Sequence, residues 1–187
     1  MTTRRVLWQR SDVPGSEWCQ LVIDSAASKL SGSLVLSWDG VPWRIDYAIK
    51  LDSAGRTRLL TIGADGLADG APVRVDIRLE ADGDGRWRRG GDLVIDDRDA
   101  LDCDLGFSPS TNTLPIRRLG LAIGETREIA VAWVLFPSFE IVVGRQSYER
   151  LAERTWRYLS TGFEAELTVD DDGLVNTYYV WRAVAKA

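Results

Sequence analysis

Apolar and polar residues alternate with a period of two through most of this chain, and that pattern restricts the fold more than any other feature. In PVRVDIRLEA (72–81), Val73, Val75, Ile77 and Leu79 share one face, and Arg74, Asp76, Arg78 and Glu80 share the other. FEAELTVD (163–170) sets Phe163, Ala165, Leu167 and Val169 against Glu164, Glu166, Thr168 and Asp170. PWRIDYAIKLD (42–52) places Trp43, Ile45, Tyr47, Ile49 and Leu51 together. Such segments form strands with one buried and one wet face. REIAVAWVLF (127–136) is apolar on both faces and predicts a central strand.

The breaks between these segments are turn chemistry: WDGVP (38–42), DSAG (52–55), GADGLADG (63–70), ADGDG (81–85) and DDDG (170–173). Asp-Gly pairs supply the positive φ that tight hairpins require. Short connections predict mostly antiparallel neighbours, and about a dozen strands favour a barrel or curled sheet over a flat one. The expected fold is all-β, a single antiparallel barrel or strongly curled half-barrel with at most a short helix. SYERLAERTWRYL (147–159) is the one helical candidate, and it fits a strand as well. Nothing in the composition divides the chain, so residues 1–187 are expected to form one domain.

Composition removes several functions. The chain has no histidine. Ser-His-Asp and Cys-His mechanisms are therefore excluded, and a catalytic zinc site loses its usual ligand. No metal or other cofactor is implied. The net charge of -5 opposes general binding to nucleic acid. The longest apolar run, IAVAWVLF (129–136), falls far short of a membrane-spanning helix. The start, MTTRRVLWQRSD, lacks the apolar run of a secretory signal. A cytoplasmic location is expected, with Cys19 and Cys103 as free thiols. Lys29, Lys50 and Lys186 are the only lysines among 23 basic residues, so arginine forks dominate.

Chemistry-bearing residues concentrate in DCDLGFSPSTNTLPIRRLGL (102–121). Asp102 and Asp104 fall on one strand face. Such a pair can perform acid-base work on glycosides, bind calcium or hold arginines, and Arg117 and Arg118 nearby favour ion pairing. Ser110, Thr111, Asn112 and Thr113 can fix a turn through their own backbone. Pro115 predicts a strand start or edge, after which Arg117 and Arg118 point to opposite faces, one inward to an aspartate. GRTRLL (55–60) puts Arg56 and Arg58 side by side. Eight tryptophans, Trp133 among them, fill a core or line an aromatic cavity.

The 102–121 string closely resembles the signature of the bacterial "putative glycolipid-binding" family, in which D-x-D, TNTLPIRRL and a Gly-containing turn occur together. GSEWCQL (15–21), YAIKLDSAGRTR (47–58), VLFPSFEIVVGRQSYERL (134–151) and FEAELTVDDDGLV (163–175) follow the family's order along nearly the whole chain. Ser110, Gly55 and Tyr179 depart from its pattern. The resemblance implies a half-open barrel similar to bacterial lipoprotein carriers, with no established catalytic residues. The expected function is non-catalytic binding of a glycolipid or related amphipathic lipid. Its candidate site is Trp43, Tyr47, Arg56, Arg58, Asp102, Asp104, Asn112, Arg117, Arg118, Trp133, Gln146 and Tyr148. The alternative is an enzyme acting on a sugar or phosphate ester through the paired aspartates.

Overall fold

A computed structural model describes residues 1–68 and 70–187. The strands are β1 (Thr2–Arg10), β2 (Gly15–Ile23), β3 (Ser28–Trp38), β4 (Val41–Leu51), β5 (Thr57–Ala68), β6 (Ala71–Ala81), β7 (Arg86–Arg89) and β8 (Asp92–Asp96). They continue as β9 (Ala100–Leu105), β10 (Thr126–Val134), β11 (Ile141–Arg150), β12 (Thr155–Ser160), β13 (Phe163–Val169), β14 (Val175–Tyr178) and β15 (Trp181–Lys186). One sheet joins all fifteen in the order β8-β7-β6-β5-β4-β3-β2-β1-β15-β14-β13-β12-β11-β10-β9. It rolls into a nearly closed barrel. The two sheet edges meet where β8 turns into β9, and there the Trp87 indole donates to the Ala100 carbonyl at 2.7 Å.

The alternation read from the sequence holds. Ile77, Leu79, Leu167 and Val169 are buried while Arg78, Glu80 and Glu166 are exposed. β10, expected to be central, is paired on both sides, with β11 and β9, but lies one strand in from the sheet edge.

The turns show why Asp and Gly punctuate the chain. Asp39 and Gly40 both have positive φ, as a two-residue hairpin between β3 and β4 needs. DSAGR, DGDGR and DDDGL share a second solution. In each, the Asp side chain (Asp52, Asp82, Asp170) accepts from the backbone N–H groups two and four residues on. Gly55, Gly85 and Gly173 take the left-handed position in these turns.

Three expectations need correction. GADGLADG is not one long turn: residues 63–68 continue β5, and Asp69 lies outside the described residues. Gly66 serves packing, because a Cβ there would sit 2.3 Å from the Trp43 ring. Residues 147–159 are not helical. They form the end of β11 and most of β12, with Tyr148 and Trp156 buried by alternation. The helix lies instead within TNTLPIRRL. A 3₁₀ turn (Ser110–Asn112) leads into α1 (Thr113–Leu119), capped by left-handed Gly120. Pro115 is tolerated because it falls in the first turn, where backbone N–H groups have no intrahelical partner. This crossover also makes β9 and β10 parallel, the exception to an antiparallel sheet.

Candidate functional site

Both faces of β9 are buried, which is why its residues are so mixed. On one face Cys103 meets Thr57 of β5. On the other, Asp102 and Asp104 face different partners. The Arg118 fork grips Asp102 through Nε at 3.1 Å and Nη2 at 2.7 Å. Asp102 is fully buried, and Arg118 nearly so. Burial pushes the Asp102 carboxyl above its ordinary value, and the Arg118 hydrogen bonds and charge pull it back. Asp104 makes no ion pair among the described residues. It accepts from the Thr111 hydroxyl at 3.0 Å and the Gln146 amide at 2.5 Å. Burial raises its pKa, and these two donors oppose the rise.

The ion pairing expected of Asp102 and Asp104 with Arg117 and Arg118 is therefore a single pair, Asp102 with Arg118. Arg117 instead donates to the Asp172 carbonyl at 2.6 Å, near the surface. On a helix, adjacent residues diverge by about 100° rather than pointing to opposite faces. Arg118 turns inward and Arg117 does not.

Asp104 opens onto a cavity of about 280 Å³. Its walls are aromatic: Trp38, Trp133, Tyr158, Phe163, Tyr178, Tyr179 and Trp181. Its polar lining includes Arg10, Ser108, Asn112, Ser160 and Thr161. Phe163, Tyr158 and Tyr178 pack edge to face, with centroids 5.8–6.3 Å apart. Burial, and after it the Asp104 charge, pushes the Tyr158 phenol up. Arg10 lies across the Trp38 and Trp181 rings at 5.3 and 5.1 Å, with Nε and Nη2 held by Asp12. The Trp133 indole N–H is buried without an acceptor.

Behind the lining stands a second shell of hydrogen bonds. Tyr148 donates to Asn112 at 2.9 Å, and Asn112 donates to the Pro109 carbonyl. Ser108 joins a buried ring of four oxygens. Its Oγ is 2.8 Å from Glu17 Oε1 and 2.7 Å from Ser110 Oγ. Tyr47 Oη closes the ring, 2.7 Å from Ser110 and 2.5 Å from Glu17 Oε1. Four contacts need four protons, and the hydroxyls of Ser108, Ser110 and Tyr47 supply three. The fourth is the Glu17 carboxyl's own. Glu17 is fully buried, and burial carries its pKa up to about 8 against the pull of Tyr47 and Ser108. Gly32 makes room for this ring, since a Cβ there would fall 2.5 Å from Tyr47 Oη.

Of the residues singled out in the sequence, Asp104, Asn112 and Trp133 line the cavity. Gln146 and Tyr148 brace it, Asp102 with Arg118 lies behind it, and Tyr47 reaches it through the ring. Trp43 sits in a neighbouring cluster with Phe136 and Phe139. Arg56 and Arg58 are not brought to the cavity. Arg56 holds the Gly83 carbonyl and Asp84 in an adjacent hairpin, and Arg58 is exposed beside Asp52. Sequence reasoning missed Arg10, Trp38, Ser108, Tyr158, Trp181 and Glu17 as site residues. Glu17 had a local signal, because GSEWCQL places it in inward register with Cys19 and Leu21. A wider trough of about 670 Å³ between Pro14, Val35, Trp43 and Leu67 is open and mostly apolar. The charged residues that line it, Arg44 and Asp65, are both exposed.

These features define a barrel fold with an aromatic cavity that carries polar groups in its lining. The chain belongs to the family described as "putative glycolipid-binding", whose model matches residues 5–182. It is similar to the crystal structure of a DUF1089 family protein from Pseudomonas aeruginosa, with 31% identity, 91% of each chain covered and a TM-score of 0.77. It also shares its fold with a β-barrel-like protein of the DUF1849 domain from Brucella abortus. That match has 7% identity, covers 100% of this chain and 97% of the other, and has a TM-score of 0.55. No curated protein matches the chain. Among the described residues, no helix is long and apolar enough to cross a membrane.

Proposed function

We propose that this chain, acting as one domain over residues 1–187, binds the polar head of an amphipathic ligand without catalysis, as the family description implies for a glycolipid. The observation that carries this reading is the convergence of Asp104, Ser108, Asn112 and the acceptor-less Trp133 N–H on one aromatic cavity. A sugar ring offers hydroxyls at its rim and apolar C–H faces. The cavity matches both, with hydrogen-bonding groups on the floor and aromatic rings on the walls. At about 280 Å³ it suits one ring-sized head rather than a whole lipid. Catalysis by paired aspartates is disfavoured because Asp102 is fully buried and held by Arg118.

Saturation-transfer NMR with a short-chain alkyl glucoside tests this. Transfer is expected to the sugar ring, and Trp133→Ala should weaken binding about tenfold, the scale of one good contact. Absence of transfer to the ring at millimolar ligand would overturn the reading.

A further inference from the structure

The charge balance of the cavity narrows the class of head group, given the binding mode above. Arg10 and Asp104 are its charged lining residues. The Arg10 charge is answered by Asp12, through contacts at 2.8 and 2.6 Å. The Asp102 charge is answered by Arg118. Asp104 is answered only by neutral donors, Thr111, Gln146 and the Leu105 backbone N–H. The site thus holds one carboxylate without a counter-charge, enclosed by rings. A carboxylate has about four acceptor positions, so these three donors leave room for one from a ligand. Burial raises the Asp104 pKa, and a cation placed against it would hold the carboxyl ionised and be paired by it, which a neutral hydroxyl would not do. Aromatic faces add to the preference, since their quadrupoles attract cations and repel anions.

We propose that the cavity selects a head group bearing a primary ammonium, which donates to Asp104 while its carbon frame lies against Trp133, Tyr158 and Tyr178. Amino sugars and aminoalcohols both carry this group. A phosphate or carboxylate in the same place would face Asp104 and be rejected.

The test compares four probes by NMR titration at about pH 6, where such amines are charged: methyl glucosaminide, its N-acetyl form, methyl glucoside and ethanolamine. The glucosaminide should bind at least about tenfold more tightly than the glucoside. N-acetylation should erase that preference. In Asp104→Asn the glucosaminide and glucoside should bind equally. Equal binding of the two sugars to the wild type would overturn the proposal while leaving the head-group reading intact. A preference that survives Asp104→Asn would also overturn it. Binding of ethanolamine without either sugar would support the ammonium site and overturn the sugar-head reading. The wild-type comparisons decide the matter even if Asp104→Asn does not fold.

Discussion

Replacing Glu17 with glutamine should flatten the dependence of stability on pH between about pH 5 and 8. The carboxyl titrates near 4.5 in the unfolded chain and at about 8 in the folded one. Over that interval the folded state keeps a proton that the unfolded state has released, so stability falls as pH rises. It is fully present below about 4.5 and is lost progressively until the folded carboxyl ionises near 8. Each unit of difference corresponds to about 1.4 kcal/mol, so the whole span costs about 5 kcal/mol. Burial is the physical cause, because ionised Glu17 would be a bare charge cut off from water, and the ring donors offset only part of that. Ionised Glu17 leaves one of the four contacts without a proton, in a site closed to water. Glutamine cannot titrate. It also carries no ring proton on its oxygen, so it should impose a pH-independent penalty of about 1–2 kcal/mol. Urea unfolding of both proteins at half-unit steps from about pH 5 to 8 measures the difference between them. That difference should shift by about 3–4 kcal/mol across the window and change sign, the wild type being the more stable near pH 5 and the glutamine variant near pH 8. Other buried carboxyls, such as Asp102 and Asp104, tilt both curves alike and cancel. Parallel curves for the two proteins would refute the neutral, proton-sharing Glu17.

The Asp102–Arg118 pair and Arg117 should separate sharply in the same assay. Asp102→Ala should cost about 3–5 kcal/mol, and adding Arg118→Ala should cost less than the sum of the single changes. Arg117→Ala should cost under about 1 kcal/mol, because its contact is exposed. Gly32→Ala should destabilise by about 1–3 kcal/mol, since the new methyl group meets the Tyr47 phenol. Differential scanning calorimetry would show no change if Tyr47 can move aside without loss.

The sheet was legible because its code is local. Alternation sets the faces of β4, β6 and β13, and the Asp-Gly turns mark most hairpins. The helix was not, because α1 has only seven residues, too few to display a helical period. Its buried Thr113 and the preceding Ser110, Thr111 and Asn112 look like turn residues, yet the last three are buried and bond Tyr47, Asp104 and Tyr148 across the barrel. Arg56 and Arg58 do sit two residues apart, but one lies in a turn and the other faces outward. The cavity draws on β1, β3, β9, β10, β12, β13, β14 and β15, so no continuous string encodes it. Arg10 and Trp181 are neighbours only through the β1–β15 ladder.

That ladder also governs when the site can come into existence. Most strand pairs join sequence neighbours through short turns and can zip early, whereas Val6 must find Lys186 across almost the whole chain. Closing such a separation forfeits chain entropy before any contact repays it, and pairings of this kind form slowly. The Trp38–Arg10–Trp181 stack assembles only at that closure. Two half-sheets folded separately would each carry part of the cavity lining and neither a binding site. On the proposed binding function, a ligand in this cavity would hold shut the β1–β15 seam, and its affinity would report on whether that seam has closed.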